Sequence, residues 1–123
     1  MTLAMPVTYE IGTGRIRIIA DGLYTYSEVV SAFTAAIDAA PARMPVLVDA
    51  RGSRVNPPLQ EIRDTARFAD SISDGIGPRI ALVVEGTLRF GLARMLATFG
   101  STRGDLDYQA FRDHEEAERW LRE

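Results

Sequence analysis

The sequence predicts an α/β protein, with one layer of mixed but mainly parallel five-stranded sheet and four helices in the order ββαβαβαβα. Three observations carry the prediction. The apolar runs Pro45-Val46-Leu47-Val48 and Ile80-Ala81-Leu82-Val83-Val84 are unbroken rather than alternating, as strands are when helices bury both their faces. Each run stops at an acidic residue, Asp49 or Glu85, followed by a Gly-containing loop and a helical pattern, which is the rhythm of βαβ units. No repeat and no long linker interrupts the chain, so residues 1–123 form a single domain.

The elements follow in order. Val7–Ile11 and Arg15–Ala20 alternate as strands do, and Gly12-Thr13-Gly14 between them is a hairpin turn. A dinucleotide-binding Gly-x-Gly must lead into a helix, and here a strand follows. Thr25 and Glu28 form a capping box. Tyr26, Val29, Val30, Phe33, Ile37 and Ala40 then recur at helical spacing until Pro41 ends the helix. After the strand at 45–49 comes a loop, Ala50–Pro58, and a second helix that turns Leu59, Ile62, Ala66 and Ala69 inward. Ser73–Pro78 is dense in turn formers, which places the next strand at 80–84. The third helix carries Leu88, Leu92, Met95, Leu96 and Phe99 on one stripe and takes Gly100 as its C-cap. Leu106–Phe111 alternates like a partly exposed edge strand. Asp113, with Glu116 as box partner, caps a last helix whose apolar face is Ala117, Trp120 and Leu121, with i,i+4 pairs Glu115–Arg119 and Glu118–Arg122.

Composition excludes more than it suggests. There is no cysteine and no lysine; all 14 basic residues are arginine. Thiolate nucleophiles, disulfides, zinc–thiolate sites, lysine Schiff bases and Walker-type phosphate lysines are therefore absent. The net charge of −3 offers no basic surface for nucleic acid. No apolar stretch is long enough to span a membrane. Met1–Pro6 lacks the basic start and apolar run of a secretory signal, so the expected location is cytoplasmic. No metal and no cofactor is implied. The single histidine, His114, reads as a solvent-facing residue in the first turn of the last helix, and the acidic run around it complements the helix dipole. Arg103-Gly104-Asp105 reads as a turn before a strand.

The element order, together with Val46-Leu-Val-Asp-Ala-Arg-Gly52, Arg79-Ile-Ala-Leu-Val-Val84, Phe90-Gly-Leu-Ala-Arg-Met95 and Phe111-Arg-Asp-His-Glu-Glu-Ala-Glu-Arg-Trp-Leu121, resembles the SpoIIAA-like family within the wider group of STAS domains. The resemblance implies a mixed sheet whose first strand runs antiparallel to a mainly parallel set. It also implies kinship in fold with CRAL-TRIO-type lipid carriers, which concerns architecture more than sites. Anti-sigma-factor antagonists of the STAS group carry a phosphorylated serine in an Asp-Ser-Ser-Gly-like stretch after this central strand. Here the stretch is Arg51-Gly-Ser-Arg-Val-Asn-Pro-Pro58, so Ser53 lacks a neighbouring serine and precedes a double proline. Control by phosphorylation is left without its motif.

In an open α/β sheet, ligands collect beyond the carboxyl ends of the parallel strands. Three loops meet there, bringing together Tyr24, Asp49, Arg51, Ser53, Arg54, Asn56, Glu85 and Thr87 as candidate ligand-binding residues. Arg51 has the fork geometry for a carboxylate or phosphate, and Thr87 opens a helix N-terminus toward an anion. The alternative is that Asp49 and Arg51 pair with each other to fix the loop. Phe90, Ala93 and Ala97 give the third helix a second apolar flank. That flank reads as a homodimer or partner surface, as lining for a greasy ligand, or as core. No catalytic spacing connects Asp49, Glu85 and His114, so no catalytic residue is assigned. The expected function is a non-catalytic bacterial regulatory or binding module acting through a partner protein or small ligand. The alternative is a carrier or sensor of a small apolar or anionic molecule, in a pocket beyond Asp49 and Glu85 lined in part by Leu92 and Met95.

Overall fold

The computed structural model describes residues 6–101 and 105–123. Met1–Met5, with the signal-peptide reading made from them, and Arg103 and Gly104 of the tripeptide lie outside the described residues. The elements are β1 (Val7–Gly12), β2 (Arg15–Ala20), α1 (Tyr26–Ala39), β3 (Met44–Asp49), α2 (Leu59–Ser71), β4 (Ile76–Val83), α3 (Thr87–Ser101), β5 (Asp107–Phe111) and α4 (His114–Arg122). They form one five-stranded sheet in the order β1-β2-β3-β4-β5. β1 pairs antiparallel with β2 and every later pairing is parallel.

That order decides where the helices go. Parallel crossovers are right-handed, and three of them advance in one direction across the sheet, so α1, α2 and α3 fall on one face. Ile16, Ile18, Val46, Ile80 and Leu82 point to that face and form the main core with Ala32, Phe33, Ala69 and Ala93. α4, returning after β5, covers the other face over β3, β4 and β5, where Leu47, Ala81, Val83 and Phe111 meet Ala117 and Leu121. Val46 and Leu47 are both fully buried on opposite faces, which is why the run carries no alternation. On the half of that face left uncovered by α4, β2 presents Arg15 and Arg17, and its apolar–polar alternation is legible for the same reason.

Caps hold where side-chain chemistry is local. Thr25 Oγ1 accepts the Glu28 N–H at 3.2 Å and Glu28 Oε1 accepts the Thr25 N–H at 3.0 Å. Asp113 Oδ1 accepts the amides of Glu115 at 2.8 Å and Glu116 at 3.4 Å, which is the aspartate's half of a box. Glu118 pairs with Arg122 at 3.9 Å and also receives Arg15 Nε at 2.6 Å.

Four readings need correction. β4 starts at Ile76, not at residue 80: Ile76 pairs with Met44, and Gly77 and Pro78 sit in a bulge between that pair and Val46–Ile80. Bulges tolerate the residues that otherwise mark turns. Gly100 does not cap α3 but lies within it, and a Cβ there would stand 2.3 Å from the Tyr108 ring. The glycine permits close helix–strand packing. Leu59 on α2 and Leu88 and Met95 on α3 are exposed rather than inward; Leu59 and Leu88 belong to the first turns of their helices. His114 is partly buried, with Nε2 enclosed and 3.9 Å from Glu118 Oε1.

Candidate functional site

The loops after β2 and β3 are sewn together at the carboxyl end of the sheet. Gly22 N–H donates to the Gly52 carbonyl at 2.8 Å, and Arg54 N–H donates to the Gly22 carbonyl at 2.9 Å. A Cβ at Gly52 would lie 2.1 Å from Asp21 Oδ1, so a side chain there would displace the Asp21 carboxylate. The stitching places Tyr24 Oη 2.8 Å from Ser53 Oγ, which also accepts the Val55 N–H at 3.2 Å. Ser53 is only 6% exposed. Burial raises the Tyr24 pKa, so its hydroxyl stays protonated at neutral pH.

The structure divides the expected ligand-binding residues between two faces. Asp49, in alternation with Leu47, points to the α4 side. There Arg51 grips it through Nε–Oδ1 at 2.9 Å and Nη2–Oδ2 at 2.8 Å, and Arg17 adds Nη2–Oδ2 at 2.9 Å. These bonds, those of Arg51 first, hold the carboxyl well below the usual carboxylate range, while Asp49 raises the Arg51 pKa. The bidentate fork of Arg51 is thus already occupied by its own chain. Glu85 lies close enough for its charge to act on Arg51. Arg54, Asn56, Glu85 and Thr87 are exposed.

Tyr24 and Ser53 face the other way, into a cavity of about 180 Å³ between the sheet and helices α1–α3. The cavity has a structural cause. α2 packs on α3 and scarcely touches the sheet, and the residues it turns toward β3 and β4 include the small side chains Ala66 and Ala69. Val48, Leu82, Val84, Phe68, Leu92 and Leu96 therefore border open space. Val48 is incompletely buried although it lies on the central strand. The lining is apolar except for a few side chains. Two of these are committed to backbone: Tyr26 Oη donates to the Asp64 carbonyl and Thr65 Oγ1 to the Glu61 carbonyl. Tyr24, Ser53, Glu61 and Arg89 line the carboxyl end, and Tyr108, near the start of β5, lines the cavity as well.

Of the expected apolar flank, Ala93 is buried in the core, and Phe90 and Ala97 pack partly against it. Phe90 lies under the Arg112 guanidinium at 4.3 Å and, with Ala97 and Ala110, lines a shallow groove between α3 and β5. The flank does not stand free because α3 leans on β5 through it. Of the two residues expected to line a pocket, Leu92 does so and Met95 is exposed outside it. Sequence reasoning missed Arg89 and Glu61. Their only signal was a charged residue beside an inward-facing isoleucine or one turn before an inward-facing leucine, which surface helices show everywhere. Among the described residues, no group of three His, Asp or Glu side chains is placed to hold a metal ion.

A crystal structure of an uncharacterised protein of the DUF3478 family from Shewanella loihica PV-4, described as having a SpoIIAA-like fold, superposes with a TM-score of 0.62. The two are 17% identical, and the match covers 94% of this chain and 91% of that one. The fold is SpoIIAA-like. No protein-family model matches the chain. No curated protein matches it either. The SpoIIAA-like architecture here is thus carried by topology and core pattern rather than by sequence identity. Among the described residues, no helix is long and apolar enough to cross a membrane.

Proposed function

We infer that this SpoIIAA-like protein is a non-catalytic module that binds a small apolar molecule beneath α1–α3. The observation that carries this reading is the cavity itself: about 180 Å³, lined mostly by apolar side chains, with Tyr24, Ser53, Glu61 and Arg89 grouped at the carboxyl ends of the strands. Binding sites are commonly concave and apolar with a few convergent polar groups. An engineered apolar cavity of ~150 Å³ accepts benzene, so this volume suits one ring or a short branched chain. The Asp49–Arg51–Arg17 cluster supports a structural role better than a catalytic one, since each charge is already paired. Ser53, buried and hydrogen-bonded, suits a lining residue better than a phosphorylation switch.

Native mass spectrometry and thermal melts with toluene or indole test the reading. Either an added mass that vanishes on denaturation or a melting temperature that rises with the ring compound is expected. A clean apo mass with no thermal response to either compound refutes it.

One observation favours a second reading, a protein partner or a second copy of the chain. Leu23, Leu59 and Leu88 are 76%, 46% and 62% exposed at the same end of the sheet, as an interaction rim is. Sedimentation tests the second copy: a dimer that Leu88→Ser disrupts supports it, and a monomer at all concentrations removes it.

A further inference from the structure

We propose that the cavity is built for a small apolar monocarboxylate, its carboxylate held by the Arg89 guanidinium and the Tyr24 hydroxyl and its body by the apolar interior. The proposal rests on the small-molecule reading above and adds the chemical class of the ligand. Arg89 lies in the first turn of α3 and lines the cavity. Its Nε is enclosed by protein and has no hydrogen-bond partner, and its guanidinium forms no ion pair with any described residue. A guanidinium N–H removed from water without an acceptor is costly, and buried polar groups in native proteins are normally satisfied. A carboxylate in the cavity supplies the missing acceptor through a charge-assisted bond once the Arg89 side chain turns its Nε toward it.

The neighbouring groups fit the same head. Tyr24 stands close enough to Arg89 for the positive charge to bear on its hydroxyl. Ser53 Oγ accepts from the Val55 amide, so its own proton is available to Tyr24 Oη. In that arrangement the Tyr24 O–H is free to donate to a ligand oxygen. Glu61 borders the same cavity and limits the charge: with Arg89 it sums to zero, so one bound carboxylate leaves a net charge of −1 and a dianionic phosphate monoester leaves −2, with correspondingly stronger repulsion. The volume limits the body to about one ring.

The test is a heteronuclear NMR titration of the whole chain with phenylacetate, its neutral isostere phenylacetamide, phenyl phosphate and toluene. Amides of Val48, Ala50 and Ala93 report the cavity. Phenylacetate is expected to bind about tenfold or more tightly than phenylacetamide, as one charge-assisted bond implies. Arg89→Gln should erase that preference while leaving toluene binding intact, which also shows that the variant is folded. If toluene binds but phenylacetate gains nothing over its amide, or Arg89→Gln keeps the preference, the carboxylate proposal falls and the apolar-ligand reading stands. If phenyl phosphate binds more tightly than phenylacetate, the restriction to a monoanion is overturned. If no compound shifts the lining residues, the apolar-ligand reading itself is refuted.

Discussion

Replacing Ala69 by Leu extends a side chain from α2 into the space beneath it, and the sign of its effect depends on whether that space exists. Ala69 is buried on α2 and borders the cavity. Leucine adds three carbons, and burial contributes about 0.8 kcal/mol for each. Fixing the leucine rotamer costs about 0.5–1 kcal/mol, and the helix propensities of the two residues are similar. The net gain is about 1.5 kcal/mol, which for a domain of this size raises the melting temperature by roughly 5 °C or more. An empty cavity of 180 Å³ costs about 4 kcal/mol at ~24 cal/mol per Å³, so the gain recovers part of that cost. Thermal melts and urea denaturation measure it, and the toluene response should shrink in the same variant. In a filled core the added carbons would strain their neighbours and destabilise by about 1–3 kcal/mol. A loss of 1 kcal/mol or more would refute the cavity and the apolar-ligand reading with it.

Gly100→Ala should lower stability by about 1–3 kcal/mol, because the new methyl collides with the Tyr108 ring; a gain of about 1 kcal/mol in melts, the helix-propensity effect alone, would contradict that contact. Asp49→Asn should cost about 2 kcal/mol at neutral pH, since Arg17 and Arg51 lose their shared carboxylate. The Asp49 pKa is lowered in the folded state, so its contribution is full above the unfolded value near 4 and fades as pH falls below it. The difference between the two proteins in melts should therefore shrink as pH falls from about 5 toward 2, and one of undiminished size at pH 2 would be inconsistent with the ion pair. Arg51→Ala should leave phenylacetate and toluene affinities unchanged, because Arg51 is spent on Asp49 on the opposite face; a tenfold loss by titration would reinstate it as a ligand anchor. Thr25→Ala should cost about 1 kcal/mol by chemical denaturation through loss of the α1 cap.

The elements were legible where the signal is local. Thr25 and Glu28 announce their cap within four residues, and Arg15–Ala20 alternates because one of its faces meets core and the other carries arginine. The unbroken runs at 45–48 and 80–84 report burial on two sides, which fixed the class. Gly77-Pro78 and Gly100 misled because glycine and proline mark any unusual backbone or close approach. Sequence does not say whether the cause is a turn, a bulge or a neighbouring ring 2.3 Å away. Leu59, Leu88 and Met95 carry the right spacing for an inner face and lie outside it. Helical period gives a stripe but not how far along it the sheet extends.

The candidate site was legible as a place and not as an arrangement. The rule for open α/β sheets brought Tyr24, Asp49, Arg51 and Ser53 to one end, and the sequence by itself determined that neighbourhood along with the strand and helix order. Which face each side chain takes depends on strand register: Asp49 shares the face of Leu47, while Tyr24 and Ser53 come from loops stitched across the other. The cavity, and the approach of Arg89 to Tyr24, were decided only by tertiary structure. They arise from the stand-off of α2 from the sheet, a distance between surfaces far apart in sequence. No local pattern encodes that distance, because the same apolar residues line a filled core and an open one.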